Sequence, residues 1–130
     1  MNQNTGPIII GIVVLAIVAG GLVFFGSSQN PASGSNKLDS FAQCIKDSGA
    51  IFYGAFWCPH CQAQKKLFGA SAKLLPYVEC STPDGNGQLD QCKTKDVKSY
   101  PTWDFPDGTR LNGEQQLSVL AEKTQCALPE

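Results

Sequence analysis

The sequence is poor in charged residues, histidine and methionine. Charged side chains make up 16% of the chain and the formal net charge is −1, so neither nucleic acid nor an anionic membrane surface is expected as a partner. No Lys or Arg precedes Lys37, so the positive-inside rule cannot predict the orientation of a membrane span in that part of the chain. What the chain does contain is six cysteines. In so short a chain, that number points to an oxidising compartment.

Two of the cysteines form a Cys-Pro-His-Cys motif, from Cys58 to Cys61. An apolar run precedes the motif and a helix-compatible run follows it, which predicts a strand, a turn and a helix that begins with Pro59 in its first turn. The unpaired N–H groups of a helix N-terminus favour the thiolate of Cys58. Cys61, one turn further on, can close a disulfide with it. We expect a pair for thiol–disulfide exchange, with Cys58 as the exposed attacking thiol, Cys61 as the resolving one and His60 as a tuner of the thiolate.

Two other interpretations of this motif remain open at this point. The cysteines could be half of a structural zinc site completed by His60 or by other cysteines, but such a site needs a second ligand pair at matching spacing, and no second Cys-x-x-Cys occurs. The pair could also be a purely structural disulfide. A turn that opens a helix is an exposed place, however, and a structural disulfide seldom needs a Trp such as Trp57 beside it. No metal site or cofactor is expected.

The N-terminal part of the chain reads as a membrane anchor. After a short tail at residues 1–6, residues 7–25 carry no charge and no strongly polar side chain. As a helix this stretch is about 28 Å long, close to the hydrocarbon thickness of a bilayer. A cleaved signal peptide is the alternative, although the tail lacks a basic region. Residues 26–36 have the composition of a flexible linker, which leaves residues 37–130 as one domain, with the tail expected in the cytoplasm and the domain outside it.

Periodicity and turn signals predict a mixed α/β order for this domain. Helices are expected at residues 38–47, 59–75 (with an interruption near Gly69), 88–95 and 114–123. Strands are expected at residues 50–55, 77–80, 102–105 and 109–111. The first two strands should be parallel, because a helical crossover joins them, and a turn at residues 106–108 makes the last two a hairpin.

The chain resembles the thioredoxin superfamily through Phe-Trp-Cys-Pro-His-Cys at 56–61 and Tyr-Pro-Thr at 100–102. The Pro-His pair is similar to that of Dsb-type periplasmic disulfide oxidases. Further likeness, to the thioredoxin-like domain associated with bacterial vitamin K epoxide reductase homologues, extends over residues 53–62, 76–80, 100–103 and 113–115. The resemblance implies a thioredoxin-like fold preceded by one transmembrane helix, and a cis Pro101 that faces Cys58 and positions substrate. Trp57, Tyr100 and Trp103 would line the substrate groove.

The resemblance also implies a function. We expect a bacterial, membrane-anchored thiol–disulfide oxidoreductase whose domain lies outside the cytoplasm and forms disulfides in secreted proteins. Because only one span is expected, a separate quinone-linked membrane protein of the vitamin K epoxide reductase type would reoxidise it. The alternatives are a reductase or isomerase fed by a membrane electron donor, and a tethered binding module with an idle disulfide. Thioredoxins carry a buried Asp six residues before the first active-site cysteine, whereas this chain has Phe52, which favours an oxidant.

The remaining four cysteines allow three pairings or four free buried thiols. We predict Cys80–Cys92 and Cys44–Cys126, because these pairs join a strand end to the helix after the next loop and the first helix to the last. Each bridge could stabilise the domain by roughly 3–4.5 kcal/mol on the loop-entropy model.

Overall fold

The computed structural model describes residues 36–130, which form one mixed α/β domain. The expected tail and membrane span, and the linker up to residue 35, lie outside these residues. Within 36–130, no helix is long and apolar enough to cross a bilayer. The elements in chain order are α1 (Asp39–Asp47), β1 (Ile51–Gly54), α2 (Pro59–Phe68), a 3₁₀ segment (Gly69–Leu74), β2 (Tyr77–Glu79), α3 (Asp90–Lys93), β3 (Thr102–Asp104), β4 (Arg110–Asn112) and α4 (Leu117–Thr124).

The four strands form one sheet in the order β2-β1-β3-β4. Strand β1 is parallel to β2 and antiparallel to β3, and β3 and β4 form an antiparallel hairpin. The predicted parallel crossover and the predicted hairpin are both confirmed. The mixed α/β class is confirmed as well, and this sheet with its helices fits a thioredoxin-like fold.

Strand β1 divides the interior into two hydrophobic clusters, because successive side chains of a strand point to opposite faces of the sheet. Phe52 lies in the larger cluster, where its ring stacks on Trp103 with centroids 4.6 Å apart. Tyr53 lies in the smaller cluster with the fully buried Cys80 and Cys92. Helices α1, α2 and α4 contribute to the larger cluster, which therefore lies on the side of the sheet that holds the Cys-x-x-Cys motif.

Residues 36–130 contain two disulfides, and they are the pairs expected from the element order. Cys44 of α1 is bonded to Cys126, just after α4, with Cα atoms 5.8 Å apart. Cys80, at the end of β2, is bonded to Cys92 of α3, with Cα atoms 5.6 Å apart. The first bridge ties the two terminal helices of the domain together, and the second closes the loop between β2 and α3.

Helices α3 and α4 are each at least two residues shorter than predicted, and hydrogen bonds with residues outside each helix explain both differences. Helix α4 begins at Leu117 rather than at residue 114, because the backbone of Gln115 is bonded to the buried side chain of Gln64 through contacts of 2.6 and 3.0 Å. Helix α3 spans only Asp90–Lys93. Its expected first residue, Gln88, instead forms a β-bridge with Ser81.

Candidate active site

The Cys-x-x-Cys motif lies where β1 gives way to α2. After β1 a turn is closed by the Cys58 amide, which donates to the Ala55 carbonyl at 3.0 Å. Cys58 is the N-cap residue with extended backbone angles, and Pro59 occupies the first position of α2, where its missing N–H leaves no hydrogen bond unmade. No side chain caps the helix, so the first N–H groups of α2, next to the N-cap residue Cys58, have no side-chain partner.

Cys58 and Cys61 are both free thiols, and both are buried. The expectation of an exposed Cys58 is wrong, since this residue is 5% exposed and Cys61 only 1%. The cause is that both thiols belong to the larger hydrophobic cluster beneath α2. Burial raises the pKa of the Cys61 thiol from 9.0 to about 12, and the neighbouring Cys58 adds to the effect. Cys61 is therefore held as a neutral thiol near neutral pH.

The Tyr100–Pro101 peptide bond is cis, as the resemblance implies, and it lies against the first thiol. Cys58 Sγ donates a hydrogen bond to the Tyr100 carbonyl oxygen over 3.7 Å. The Tyr100 hydroxyl accepts a 2.7 Å hydrogen bond from Gln88, which also donates to the Val97 carbonyl. The loop before β3 is thereby fixed beside the helix that carries the motif.

An exposed aromatic surface borders the thiols. Phe56 and Trp57 are each about half exposed, at 50% and 49%, which is unusual for such large apolar side chains. The Trp57 indole donates a 2.8 Å hydrogen bond to Ser81 and meets the Tyr100 ring edge to face at 6.2 Å. The structure therefore brings Trp57 and Tyr100 together beside Cys58, and it adds Phe56, which the sequence analysis did not include.

Trp103 does not line this surface, and its expected place in the substrate groove is wrong. The side chain is fully buried between Phe52 and Phe105. Thr102 and Trp103 are consecutive residues of β3 and both are buried. An alternation of buried and exposed residues along the strand therefore could not have predicted whether Trp103 is exposed. Its register partner across the sheet is Phe52 of β1, which places Trp103 in the centre of the domain.

His60 is exposed on the first turn of α2, where it pairs with an acid from a distant loop. Its Nδ1 lies 2.6 Å from Glu114 Oε1. The buried Gln64 clamps the adjacent Gln115 backbone, which places Glu114 over the start of α2. Glu114 lay in one of the motif blocks of the resemblance, but nothing in the sequence paired it with a histidine 54 positions away.

A second acid that the sequence analysis missed is Glu79, the last residue of β2. Glu79 Oε1 accepts hydrogen bonds from the backbone N–H groups of Ser81 (2.8 Å) and Phe56 (3.2 Å). Its other oxygen, Oε2, accepts a 2.8 Å bond from the Tyr77 hydroxyl. The sequence did contain a signal for the pairing of Tyr77 with Glu79, because alternate residues of a strand lie on the same side of the sheet.

A zinc site at the motif would lack cysteine partners in the part of the chain that the structure describes. The other four cysteines are all engaged in disulfides, and His60 faces Glu114. A structural zinc needs four protein ligands. The arrangement is instead that of two free thiols, one helix turn apart, next to a fixed backbone carbonyl.

Comparison with known proteins supports the same class of site. No family model matches the chain. The chain is 40% identical over 104 residues to a curated protein of Arabidopsis thaliana named thiol-disulfide oxidoreductase LTO1. The match covers 76% of this chain but only 27% of the plant protein. The chain therefore spans about a quarter of the length of that protein, and the architecture of residues 36–130 fits a thioredoxin-like fold.

Proposed function

We propose that the domain is a protein thiol–disulfide oxidoreductase that exchanges electrons through Cys58 and Cys61. The observation that carries this proposal is the position of the free Cys58 thiol at the start of α2, 3.7 Å from the Tyr100 carbonyl. A disulfide between the two cysteines would leave the same carbonyl free to accept an N–H group from an extended substrate. The exposed rings of Phe56 and Trp57 supply an apolar surface for that substrate.

The exchange runs in two steps. A substrate thiolate attacks Cys58 Sγ of the disulfide, a mixed disulfide forms, and Cys61 leaves as the reduced sulfur. A second substrate thiolate then attacks the substrate sulfur of that bond. The substrate gains a disulfide, while Cys58 leaves as a thiolate at the N-terminus of α2 and the domain retains the two electrons.

We further propose that the domain works as an oxidant of secreted proteins, tethered to a membrane on its extracytoplasmic side. A quinone-linked membrane protein of the vitamin K epoxide reductase type would reoxidise it. Three features support this direction: the helix N-terminus at Cys58, Phe52 where thioredoxins carry a buried acid, and two further disulfides that suit an oxidising compartment. The tether and the partner rest on residues 7–25 and on the motif resemblance.

The reduction potential of the Cys58–Cys61 pair tests the direction of exchange. Proteins of this fold range from about −270 mV to about −120 mV, and we expect this pair in the more oxidising half. The measurement equilibrates the full chain with glutathione buffers and counts the two thiols by mass. A potential near that of thioredoxin would favour the reductase alternative.

Trapping identifies the partners. The Cys61→Ala variant should accumulate mixed disulfides at Cys58, because no second thiol resolves them. Secreted substrates and one membrane protein should both be captured. The variant that also carries Cys58→Ala is the matched control and should capture neither. Function retained by that double variant would identify a binding module instead, and traps without a membrane protein would count against the reoxidation route.

A further inference from the structure

The space behind Cys61 holds a tyrosine hydroxyl and is kept open by a glycine. A Cβ atom added to Gly54 would lie 2.9 Å from Cys61 Sγ and 3.4 Å from the Tyr77 hydroxyl oxygen. The sulfur and the hydroxyl therefore flank the same small space, with no side chain of residue 54 between them. Tyr77 also packs edge to face on Phe52, with ring centroids 5.1 Å apart, which fixes the plane of its ring.

The Tyr77 hydroxyl is the first member of a fixed hydrogen-bonded chain. It donates to Glu79 Oε2 at 2.8 Å, and the two backbone N–H groups bound to Oε1 hold that carboxylate in place. On the other side, Lys65 Nζ lies 3.3 Å from the centroid of the Tyr77 ring. The titratable groups next to Cys61 are therefore Tyr77, Lys65 and Cys58, and Glu79 is joined to this group through the Tyr77 hydroxyl.

This chain of groups answers a chemical need of the proposed function. Cys61 must lose its proton to attack a mixed disulfide at Cys58, yet burial raises its pKa to about 12. The position at which thioredoxins carry a buried acid is Phe52, which offers no carboxylate. Tyr77 and Glu79 stand on the neighbouring strand β2, and Tyr77 is the register partner of Phe52.

We propose that Tyr77 and Glu79 form the proton path of Cys61. This inference rests on the proposed exchange at Cys58 and Cys61 and deepens it. Tyr77 exchanges the proton with the sulfur, Glu79 holds it in transit, and Lys65 offsets the negative charge that appears on either the sulfur or the phenol oxygen.

The step balances as follows. The Cys61 thiol gives its proton to the Tyr77 oxygen while the Tyr77 hydroxyl proton passes to Glu79 Oε2. The Cys61 thiolate then attacks Cys58 Sγ, so that the Cys58–Cys61 bond forms and the bond between Cys58 and the substrate breaks. The substrate sulfur leaves with that electron pair as a thiolate and is reduced, Cys61 is oxidised, Cys58 stays in a disulfide, and Glu79 releases the proton to solvent. In the oxidising direction the same proton moves from Glu79 through Tyr77 to the departing Cys61 sulfur.

The resolving step can be timed separately from the first attack. The full chain, in detergent micelles and with only the Cys58–Cys61 pair reduced, is mixed with a limiting amount of 5,5′-dithiobis(2-nitrobenzoate). Attack by Cys58 releases the first thionitrobenzoate, and attack by Cys61 on the mixed disulfide releases the second. The two rates are followed by absorbance between pH 6 and pH 10 for the wild type, Tyr77→Phe and Glu79→Gln.

Both variants should slow the second release at least about tenfold at pH 7 and leave the first release unchanged. The loss of a general acid–base group usually slows a reaction by more than this, so tenfold is a lower bound. The deficit should shrink as pH rises, because direct deprotonation of Cys61 by hydroxide grows tenfold per pH unit. Tyr53→Phe is the matched control: it removes the hydroxyl of a buried tyrosine in the other cluster and should change neither rate.

Three results would overturn the proton path. Wild-type second-phase rates in both variants would show that the hydroxyl and the carboxylate are not used. A deficit that stays constant at every pH would show that the substitutions merely displace Cys61. If the wild-type chain showed no second release, both the proton path and the proposed exchange would be overturned. If the wild type released both thionitrobenzoates and the variants did so at the same rates, only the proton path would be overturned. Because Glu79→Gln keeps an acceptor for the Ser81 N–H, it remains informative if Tyr77→Phe fails to fold.

Discussion

Replacing Gly54 with alanine should destabilise the domain, and the cost can be worked out from the contacts. The new Cβ would lie 2.7 Å from Tyr77 Cε2 and 2.9 Å from Cys61 Sγ, whereas carbon atoms pack best at about 3.5–4.0 Å. Strand β1 is flanked by β2 and β3, so its backbone cannot retreat. Overpacking of this kind costs roughly 1–3 kcal/mol. The smaller entropy of the unfolded alanine chain offsets about 0.4–1 kcal/mol, which leaves a net loss of about 1–2 kcal/mol.

Urea unfolding of the oxidised full chain, followed by tryptophan fluorescence, measures this loss. With a slope of about 1–2 kcal/mol/M for a domain of this size, the midpoint should fall by about 1 M. The control is Gly108→Ala, at a residue with φ of +81° and no atom within 4 Å of the added Cβ. In this control, the free energy of unfolding falls only because alanine is strained in a left-handed backbone conformation. The rate of the second thionitrobenzoate release should stay unchanged in Gly108→Ala and should change in Gly54→Ala. A Gly54→Ala chain with a wild-type midpoint and a wild-type release rate would refute the reasoning.

Three further predictions concern the rest of the domain. Peptide mapping of the non-reduced protein should link Cys44 to Cys126 and Cys80 to Cys92. In urea unfolding, replacing the first pair with alanine should cost about 4–5 kcal/mol, because that bridge closes a loop of 82 residues. Replacing the second pair should cost about 3 kcal/mol, because its loop has 12 residues. Burial raises the pKa of Cys61 from 9.0 to about 12, so the contribution of this thiol to the stability of the reduced domain should be complete below about pH 9 and should be lost as pH rises toward 12. The oxidised domain has no such contribution to lose. The change in urea midpoint between pH 8 and 11, compared for the two forms, checks this prediction. Arg110→Lys should cost about 1 kcal/mol in the same assay, because lysine cannot reproduce the two-pronged contact with Asp104 at 2.6 and 2.7 Å.

The sequence was most informative where one local rule decided the structure. The turn at residues 106–108 is an example: Gly108 adopts a φ of +81°, and Asp107 accepts the Thr109 N–H at 2.8 Å. The start of α2 at Pro59 follows equally from the motif and its flanking runs. In both places the residues that fix the conformation are neighbours in the chain, so pattern and propensity suffice.

The sequence was least informative where distant residues meet. The depth of Cys58 depends on how α2 settles on the sheet, and a motif at a turn gives no sign that its first thiol is 5% exposed. Gln64 could be placed on α2 from sequence, but its clamp on the Gln115 backbone could not. That clamp delays the start of α4 and sets Glu114 beside His60. Such contacts depend on tertiary packing, which overrides local preference.

The sheet also separates the two reactive thiols from one of the two structural disulfides, Cys80–Cys92, whereas Cys44–Cys126 lies on the same side as the thiols. Cys58 and Cys61 belong to the cluster on one side of it, while Cys80 and Cys92 are fully buried in the cluster on the other. Thiol–disulfide exchange requires that the attacking thiolate reach the bond. A folded domain with the proposed activity is thus protected from scrambling its own Cys80–Cys92 bridge. Any opening of the sheet would remove that protection, so local unfolding would expose the Cys80–Cys92 bridge to exchange with the active thiols.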